Sequence, residues 1–498
     1  MLSMCHAASV PKMRDLAGRQ GLPMTRRAGV AAGSPTSLSN VDNVAYTVDV
    51  TIGGQSFPVQ LDTGSSDLWV SGANTSNIET NDQPDNPLFV EMDYGSGSAS
   101  GNVFVATLEV GGLAVRNQAF VIATDVEHEP FDEFQGIMGV GFNAESKINT
   151  AFQQAFGDED TTGSSSISNI LSQNNVLGSF DIQLNRLFDD AGESTGTLFI
   201  GSHDDSFSDI TQQPQLSQVS PDAWSIALDA MKVNGNAFKF NQSSVSGVPS
   251  GKIATEMDSG TSLALLPPAA IDFIYSSMPG SVFVGNESEA TFQWLVPCNG
   301  TTNVTFTYGG VDFPVHYLDL IQTDTAILPI QGQNTNVTIC YNAYQYLTLD
   351  PTEFSGFDAL MGDAFLRNAY ASFNFGVTPS GSAPFIQMIP TTGFDTAFSD
   401  FQTSMAKTLA SLPKALPPAD IVKSAGQQVA DAQSSGAVPS SSATQSSSSS
   451  TSTSSSSSSP SPSHHNSSRS LRSDGLVSLF KSFIPVVFCI FAGAALIN

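Results

Sequence analysis

Leu61-Asp62-Thr63-Gly64-Ser65-Ser66 and Met257-Asp258-Ser259-Gly260-Thr261-Ser262 are one motif written twice in a chain of 498 residues. Each copy follows a strand-like run and has the form hydrophobic, Asp, Thr or Ser, Gly, Ser or Thr, Ser. The two aspartates stand 196 residues apart, about the length of one lobe. A second element repeats in the same order, Ile137-Met138-Gly139 after the first copy and Leu360-Met361-Gly362 after the second. A lone Asp-Thr/Ser-Gly is ordinarily a surface turn. Two copies at lobe-sized spacing, each trailed by the same hydrophobic-hydrophobic-Gly, form an internal repeat instead.

The residue types suit acid–base work on water. Two carboxyls a few ångströms apart cannot both ionise, so one proton is shared between them. Such a pair holds a base to deprotonate water and an acid to protonate a carbonyl oxygen, with neither metal nor covalent nucleophile. It titrates as a unit, and sequence does not assign acid or base to Asp62 or Asp258 separately. Gly64 and Gly260 let backbone approach the carboxyls and supply N–H donors. The hydroxyls of Thr63 and Ser259 can brace the two loops, while Ser65 and Thr261 can hydrogen-bond outward from the carboxyls.

Working outward, the text from about Val41 to Thr391 reads as β-structure. Short runs such as YTVDVTI, FPVQL, NVFVATLEV and NVTFTYGG alternate with Gly, Asn, Asp and Ser. Pro267–Ser277 reads as a helix, with prolines suited to a first turn. The pattern predicts two β lobes rather than βαβ units. The balance of 18 Lys+Arg against 46 Asp+Glu gives −28 at pH 7, which repels nucleic acid and anionic membranes. It suits work below neutrality, and equally a simple need for solubility. Of four cysteines, Cys5 and Cys489 lie in the terminal segments, leaving Cys298 and Cys340 as one expected disulfide, worth about 4 kcal/mol in the chain-entropy model. Seven N-x-S/T sequons, at Asn74, Asn241, Asn286, Asn299, Asn303, Asn336 and Asn466, point to a secretory route.

These motifs resemble the pepsin-like aspartic proteases over residues 41–391. Beyond the two loops, Leu68-Trp69-Val70 is similar to the tryptophan strand after the first catalytic loop, and Asp93–Ser98 to the family's flap hairpin. The resemblance implies that Asp62 and Asp258 are catalytic, and that Thr63, Gly64, Ser65, Ser259, Gly260 and Thr261 support them. It implies that Tyr94, Gly95 and Ser96 close over substrate, with Tyr94 hydrogen-bonded to Trp69. Asp363 and Arg367, in the signature Leu360–Asn368, would be structural, and Cys298 and Cys340 sit where the family's C-lobe disulfide lies. The implied fold is all-β and bilobal, two similar β-barrel-like lobes with the site in the cleft between them. The implied activity is endopeptidase cleavage in acid, broad in specificity, on extended and hydrophobic protein or peptide substrates.

Three departures stand out. The stretch between Trp69 and Tyr94 is shorter than in pepsin and lacks its small disulfide loop. That stretch carries Glu79, Asp82, Asp85, Glu91 and Asp93, either a preference for basic substrate side chains or a solvated loop. Glu256 stands two before Asp258, where an apolar residue is often found, and Gln60 holds the matching place in the first lobe; this implies a perturbed pH optimum.

Six scattered His without an H-x-x-x-H pattern give no metal constellation, so neither metal nor cofactor is expected. The expected organisation is an N-terminal segment or propeptide over 1–40, with Arg26-Arg27 a dibasic site or a chance pair, and lobes over 41–220 and 221–391. A linker over 392–433, a Ser/Thr-rich stalk over 434–475 and a hydrophobic tail over 476–498 follow. Residues 1–30 carry no signal-peptide run. Phe398, Phe401, Met405, Leu409 and Leu412 have roughly helical spacing, as in a short packing helix. Phe483–Ile497 is apolar with no basic stop sequence after it, matching a GPI-attachment signal, with a tail anchor as the alternative. The chain is thus expected at the cell surface or outside the cell, a monomer, touching membrane only through its C-terminus. A non-catalytic binding protein of the same fold and a cell-wall glycoprotein are the competing classes; intact Asp, Gly and Tyr94 positions speak against the first.

Overall fold

The computed structural model describes residues 35–424, apart from 82–87, 96, 128–133, 158–160, 188–194, 287–290, 348–355 and 377–382. Asp82, Asp85, Ser96, the Ser/Thr-rich tract and the apolar tail therefore lie outside the described residues. What is described is mostly strand with few helices, the all-β bilobal architecture that the repeat predicts.

The repeat is visible as two copies of one strand arrangement. In the first half, Gln55–Asp62 runs parallel to Gly136–Gly139, which pairs antiparallel with Leu68–Ser71. In the second half, Ile253–Met257 runs parallel to Ala359–Met361, which pairs antiparallel with Ala264–Leu266. Each hydrophobic-hydrophobic-Gly strand is thus slotted between the strand entering an aspartate loop and the strand leaving it. The closing glycines permit that fit. A Cβ on Gly139 would stand 2.5 Å from the Ser66 nitrogen, and one on Gly362 1.9 Å from the Leu263 carbonyl oxygen. Parallel strands of this kind are covered on both faces, and every residue of Ile253–Met257, like Ala359, Leu360 and Met361, is buried.

The halves are joined by a shared sheet. The six-strand stretch that joins them is ordered Leu216–Ser217, Phe385–Pro390, Ala369–Asn374, Ser179–Gln183, Thr195–Ile200, Thr36–Val41, and the sheet continues from there through Ala45–Ile52 into the rest of the first half. Ser179–Gln183 of the first half and Ala369–Asn374 of the second pair antiparallel at its centre, Asp181 opposite Ser372. Thr36–Val41 already belongs to this sheet, five residues ahead of where the apolar pattern begins. Only Leu38 of that strand is buried, so it carries no apolar run to read. Trp224, Phe180, Phe373, Phe375 and Phe142 stack behind the sheet, with ring centroids 4.4–6.2 Å apart. Buried ions add a clamp near the same seam. Asp319 accepts from Arg367 Nε (2.7 Å), Arg186 Nε (2.9 Å) and Asn368 Nδ2 (2.9 Å), while Arg367 also donates to the Asn43 carbonyl (3.0 Å).

The segment after 391 is packed over its described part. Phe394–Ser411 is a helix of 18 residues that buries Ala397, Phe401, Ser404 and Met405, with Phe394, Phe398 and Phe401 grouped around Tyr317. Beyond it the chain runs along the hairpin Ile321–Ile330/Gln333–Asn342. Leu416 N donates to the Thr338 carbonyl, and Ile421 is buried among Leu328, Val337 and Ile339. Cys298 and Cys340 are bonded, tying this hairpin to the loop after Thr291–Leu295.

Candidate active site

The strands Gln55–Asp62 and Ile253–Met257 drive their aspartate loops toward each other. Asp62 and Asp258 are both fully buried and hydrogen-bond to one another. Each carboxyl is held the same way by its own loop. Gly64 N donates to Asp62 Oδ1 at 2.8 Å and Ser65 Oγ to Asp62 Oδ2 at 2.5 Å. Gly260 N donates to Asp258 Oδ1 at 2.8 Å and Thr261 Oγ1 to Asp258 Oδ2 at 2.5 Å.

The loops are braced crosswise. Thr63 Oγ1 accepts from Ser259 N (2.9 Å) and donates to the Met257 carbonyl (2.7 Å). Ser259 Oγ accepts from Thr63 N (3.1 Å) and donates to the Leu61 carbonyl (2.8 Å). The glycines matter through proximity rather than backbone freedom. A Cβ on Gly64 would stand 2.5 Å from Asp258 Oδ1, and one on Gly260 2.3 Å from Asp62 Oδ1. Any side chain there would push between the carboxyls.

Burial above all, then the negative charge of Asp258, pushes the Asp62 carboxyl well above the ordinary carboxylate range; Ser65 and the Gly64 N–H pull it partly back. A pair so arranged holds a proton where exposed carboxyls have lost theirs. It can therefore give a proton to one oxygen while taking one from another.

Tyr94 sits at the end of the hairpin Phe89–Tyr94/Gly97–Val110, where Tyr94 faces Gly97 across Gly95 and residue 96. Trp69 Nε1 donates to Tyr94 Oη at 2.9 Å, and both rings are buried with Val90, Met92, Val103 and Ile137 in a second core beneath the hairpin. Burial, followed by Asp67 and Asp62, holds the phenol well above its usual range, so it stays a neutral hydroxyl.

Asp363 and Arg367 separate in role. Arg367 joins the Asp319 clamp. Asp363 is buried with neither carboxyl oxygen hydrogen-bonded, and burial pushes it well above the usual range. Asp67 was not singled out from sequence. It is buried and accepts from Ser146 Oγ (2.6 Å), Lys147 N (2.8 Å) and Ile148 N (3.2 Å), fixing the first turn of the helix Lys147–Phe156 under the tryptophan core. An acidic residue one position past a second Ser of the motif carried no signal of that distant helix.

A family model for eukaryotic aspartyl proteases matches residues 45–385. Among curated proteins, the chain is 25% identical to major aspartyl peptidase 1 of Cryptococcus neoformans var. grubii, over 74% of each chain. It is 27% identical to cathepsin D of Dictyostelium discoideum, covering 73% of this chain and 89% of that one. It is 28% identical to podosporapepsin of Podospora anserina, covering 71% and 76% respectively.

Proposed function

This chain belongs to the eukaryotic aspartyl protease family and is an aspartic endopeptidase; from that premise we propose that Asp62 and Asp258 carry its catalysis as a proton-sharing pair. The single observation behind this reading is the crosswise symmetry of the two loops, which leaves two buried carboxyls in contact and otherwise satisfied by their own loops.

In the proposed reaction the pair removes a proton from water as that water attacks the scissile carbonyl carbon. It delivers the shared proton to the carbonyl oxygen, giving a neutral tetrahedral diol. Collapse of the diol breaks the C–N bond and returns a proton to the amine, leaving an acid, an amine and the pair as it began. Thr63 and Ser259 hold the carboxyls in register, while Ser65 and Thr261 fix their outer oxygens. Tyr94, with Gly95 and Ser96, closes over an extended peptide whose backbone bonds make selectivity broad.

Pepsin-like proteases act on proteins or peptides, and a preference for bulky apolar side chains is part of the proposal. So are action as a monomer, secretion or display at the cell surface, and a GPI anchor replacing the tail 476–498. Exposure of the sequon residues Asn241, Asn299, Asn303 and Asn336 and the bonded Cys298–Cys340 pair support an oxidising, glycosylating route. The test of the catalytic reading is casein or haemoglobin cleavage in acid by the wild type, Asp62→Asn and Asp258→Asn. Each variant is expected to fold and to lose turnover, with the wild type blocked by a statine-type transition-state mimic. More than trace activity in either purified variant removes that residue from the pair.

A further inference from the structure

The contacts within and between the two loops come in mirrored pairs, and one contact across the seam starts from a place whose residue type differs between the halves. Gly64 N mirrors Gly260 N, Ser65 mirrors Thr261, and the Thr63 brace mirrors the Ser259 brace. Outside these, Gln60 Nε2 donates across the seam to the Gly260 carbonyl at 3.1 Å. Gln60 stands two before Asp62; Glu256 stands two before Asp258. Residues two apart on a strand share a face, so Glu256 points to the side from which Asp258 emerges. It is 2% exposed. By the symmetry of the two loops, the group that corresponds to the Gly260 carbonyl is the Gly64 carbonyl. A carboxylate has no proton to donate there, whereas a carboxylic acid has one.

We propose that Glu256 works as a protonated acid that takes the place of an amide, donating to the Gly64 carbonyl, and that its ionisation ends activity on the alkaline side. It acts through the loop that carries Asp62 and is thus a positioning residue; the inference rests on the catalytic reading of Asp62 and Asp258. Loss of its proton does two things at once. It removes a donor from the Gly64 loop and sets a negative charge beside a pair that must itself carry only one.

The surroundings of Glu256 keep it protonated. The charged groups that act on it are Asp258, two positions on, then Glu145 of the short helical turn Asn143–Glu145, and Asp62 at the end of the strand Gln55–Asp62. Its cross-strand neighbours, Ser225 and Leu360, carry no charge. Asp222 lies beyond Glu145, and Lys147 is the cation that acts on Glu145. Burial first, then these acidic neighbours, pushes Glu256 well above the ordinary carboxylate range. Glu145 is driven up to about 8 by burial and Asp222. Both acids bind more protons in the folded chain than in the unfolded one. Their contribution to stability is therefore full below the ordinary carboxylate pKa of about 4.5 and is lost as pH rises through the folded values.

The experiment compares pH profiles of kcat/KM, each normalised to its own acid maximum, for the wild type, Glu256→Gln, Glu256→Met and Gln60→Glu, on a peptide substrate in the full-length protein. In Glu256→Gln the alkaline limb is expected to move up by about one pH unit or more, so relative activity near pH 6.5 rises about tenfold. Gln60→Glu, which places a second acid at the mirrored site, is expected to move the limb down. At the acid maximum, Gln should outperform Met at position 256 by about tenfold, because only the amide restores the donor. A Glu256→Gln limb that superimposes on the wild type overturns the proposal. So does a Glu256→Gln chain that fails to fold while Glu256→Met folds and cleaves, since an amide is the closest substitute for the acid. Wild-type acid cleavage that resists a statine-type mimic would instead sink the catalytic reading, whatever the variants do.

Discussion

Replacing Thr63 with valine keeps the volume of a side chain that is 1% exposed and deletes its oxygen. That oxygen serves two backbone groups of the opposite loop, the N–H of Ser259 at 2.9 Å and the carbonyl of Met257 at 2.7 Å. Both contacts are buried. Leaving a buried polar group unpaired costs about 1–3 kcal/mol, so Thr63→Val, which unpairs two, should lose about 2–6 kcal/mol of stability. A chain of this size gains roughly 0.8 kcal/mol/K of unfolding entropy, which converts the loss to a fall of about 3–8 °C in Tm. The rate should suffer more than the fold, because the same oxygen sets the spacing of the two carboxyls. Misplacement of reacting groups by about an ångström costs up to a hundredfold, so kcat should drop by about tenfold to a hundredfold. Thr63→Ser keeps the oxygen and should keep most of the rate. The assays are thermal unfolding in acid and steady-state cleavage of one peptide. Thr63→Val with Tm within about 1 °C of the wild type and kcat within about twofold would refute the claim that this hydroxyl holds the loops in register.

Two further outcomes are expected. Burial opposes ionisation of Asp319, but Arg186 and Arg367 outweigh it and hold the carboxyl down to about 2. Its contribution is therefore present above the ordinary value of about 3.8 and is lost as pH falls through about 2. Asp319→Asn leaves two guanidiniums facing a neutral group, which should cost about 3–5 kcal/mol in urea titrations at pH 5 and much less at pH 2. Equal losses at both pH values would show that the charge is not what binds the clamp. For the C-terminus, phosphatidylinositol-specific phospholipase C should release active enzyme from cells, and deletion of 476–498 should send it into the medium. Recovery of a peptide containing Cys489 from the mature protein would establish the tail-anchor alternative.

The parts of the molecule written twice were the parts the sequence made legible. Asp62 and Asp258, their Gly and hydroxyl neighbours, and the two hydrophobic-hydrophobic-Gly strands could be aligned against each other within the one chain, so each copy vouched for its mate. Trp69 and Tyr94 needed the resemblance, since nothing in a Gly-rich turn says which ring it will meet 25 residues away. The helices Lys147–Phe156 and Ser166–Asn174 went unseen because they are short and carry few apolar residues within a polar stretch. The Asp319 clamp was illegible for another reason. Its partners lie 133 and 48 positions away, and an ion pair between distant residues leaves no local pattern. Glu256 was visible only as an oddity; its proposed role came from the contact that Gln60 makes at the mirrored place.

The sheet shared by the halves also dictates an order of assembly during synthesis. Ser179–Gln183 cannot complete its pairing until Ala369–Asn374 has been made, and Tyr370 meets Asp181 across 189 positions. A nascent first half therefore leaves the ribosome with an open strand edge, able to recruit any other extended chain nearby. Closing it requires the whole second half to emerge and a long loop to be drawn shut, which makes the last step slow and exposes the intermediate to aggregation. The first half and its open edge must wait, shielded by chaperones or by a preceding segment, until the strand that completes the sheet arrives.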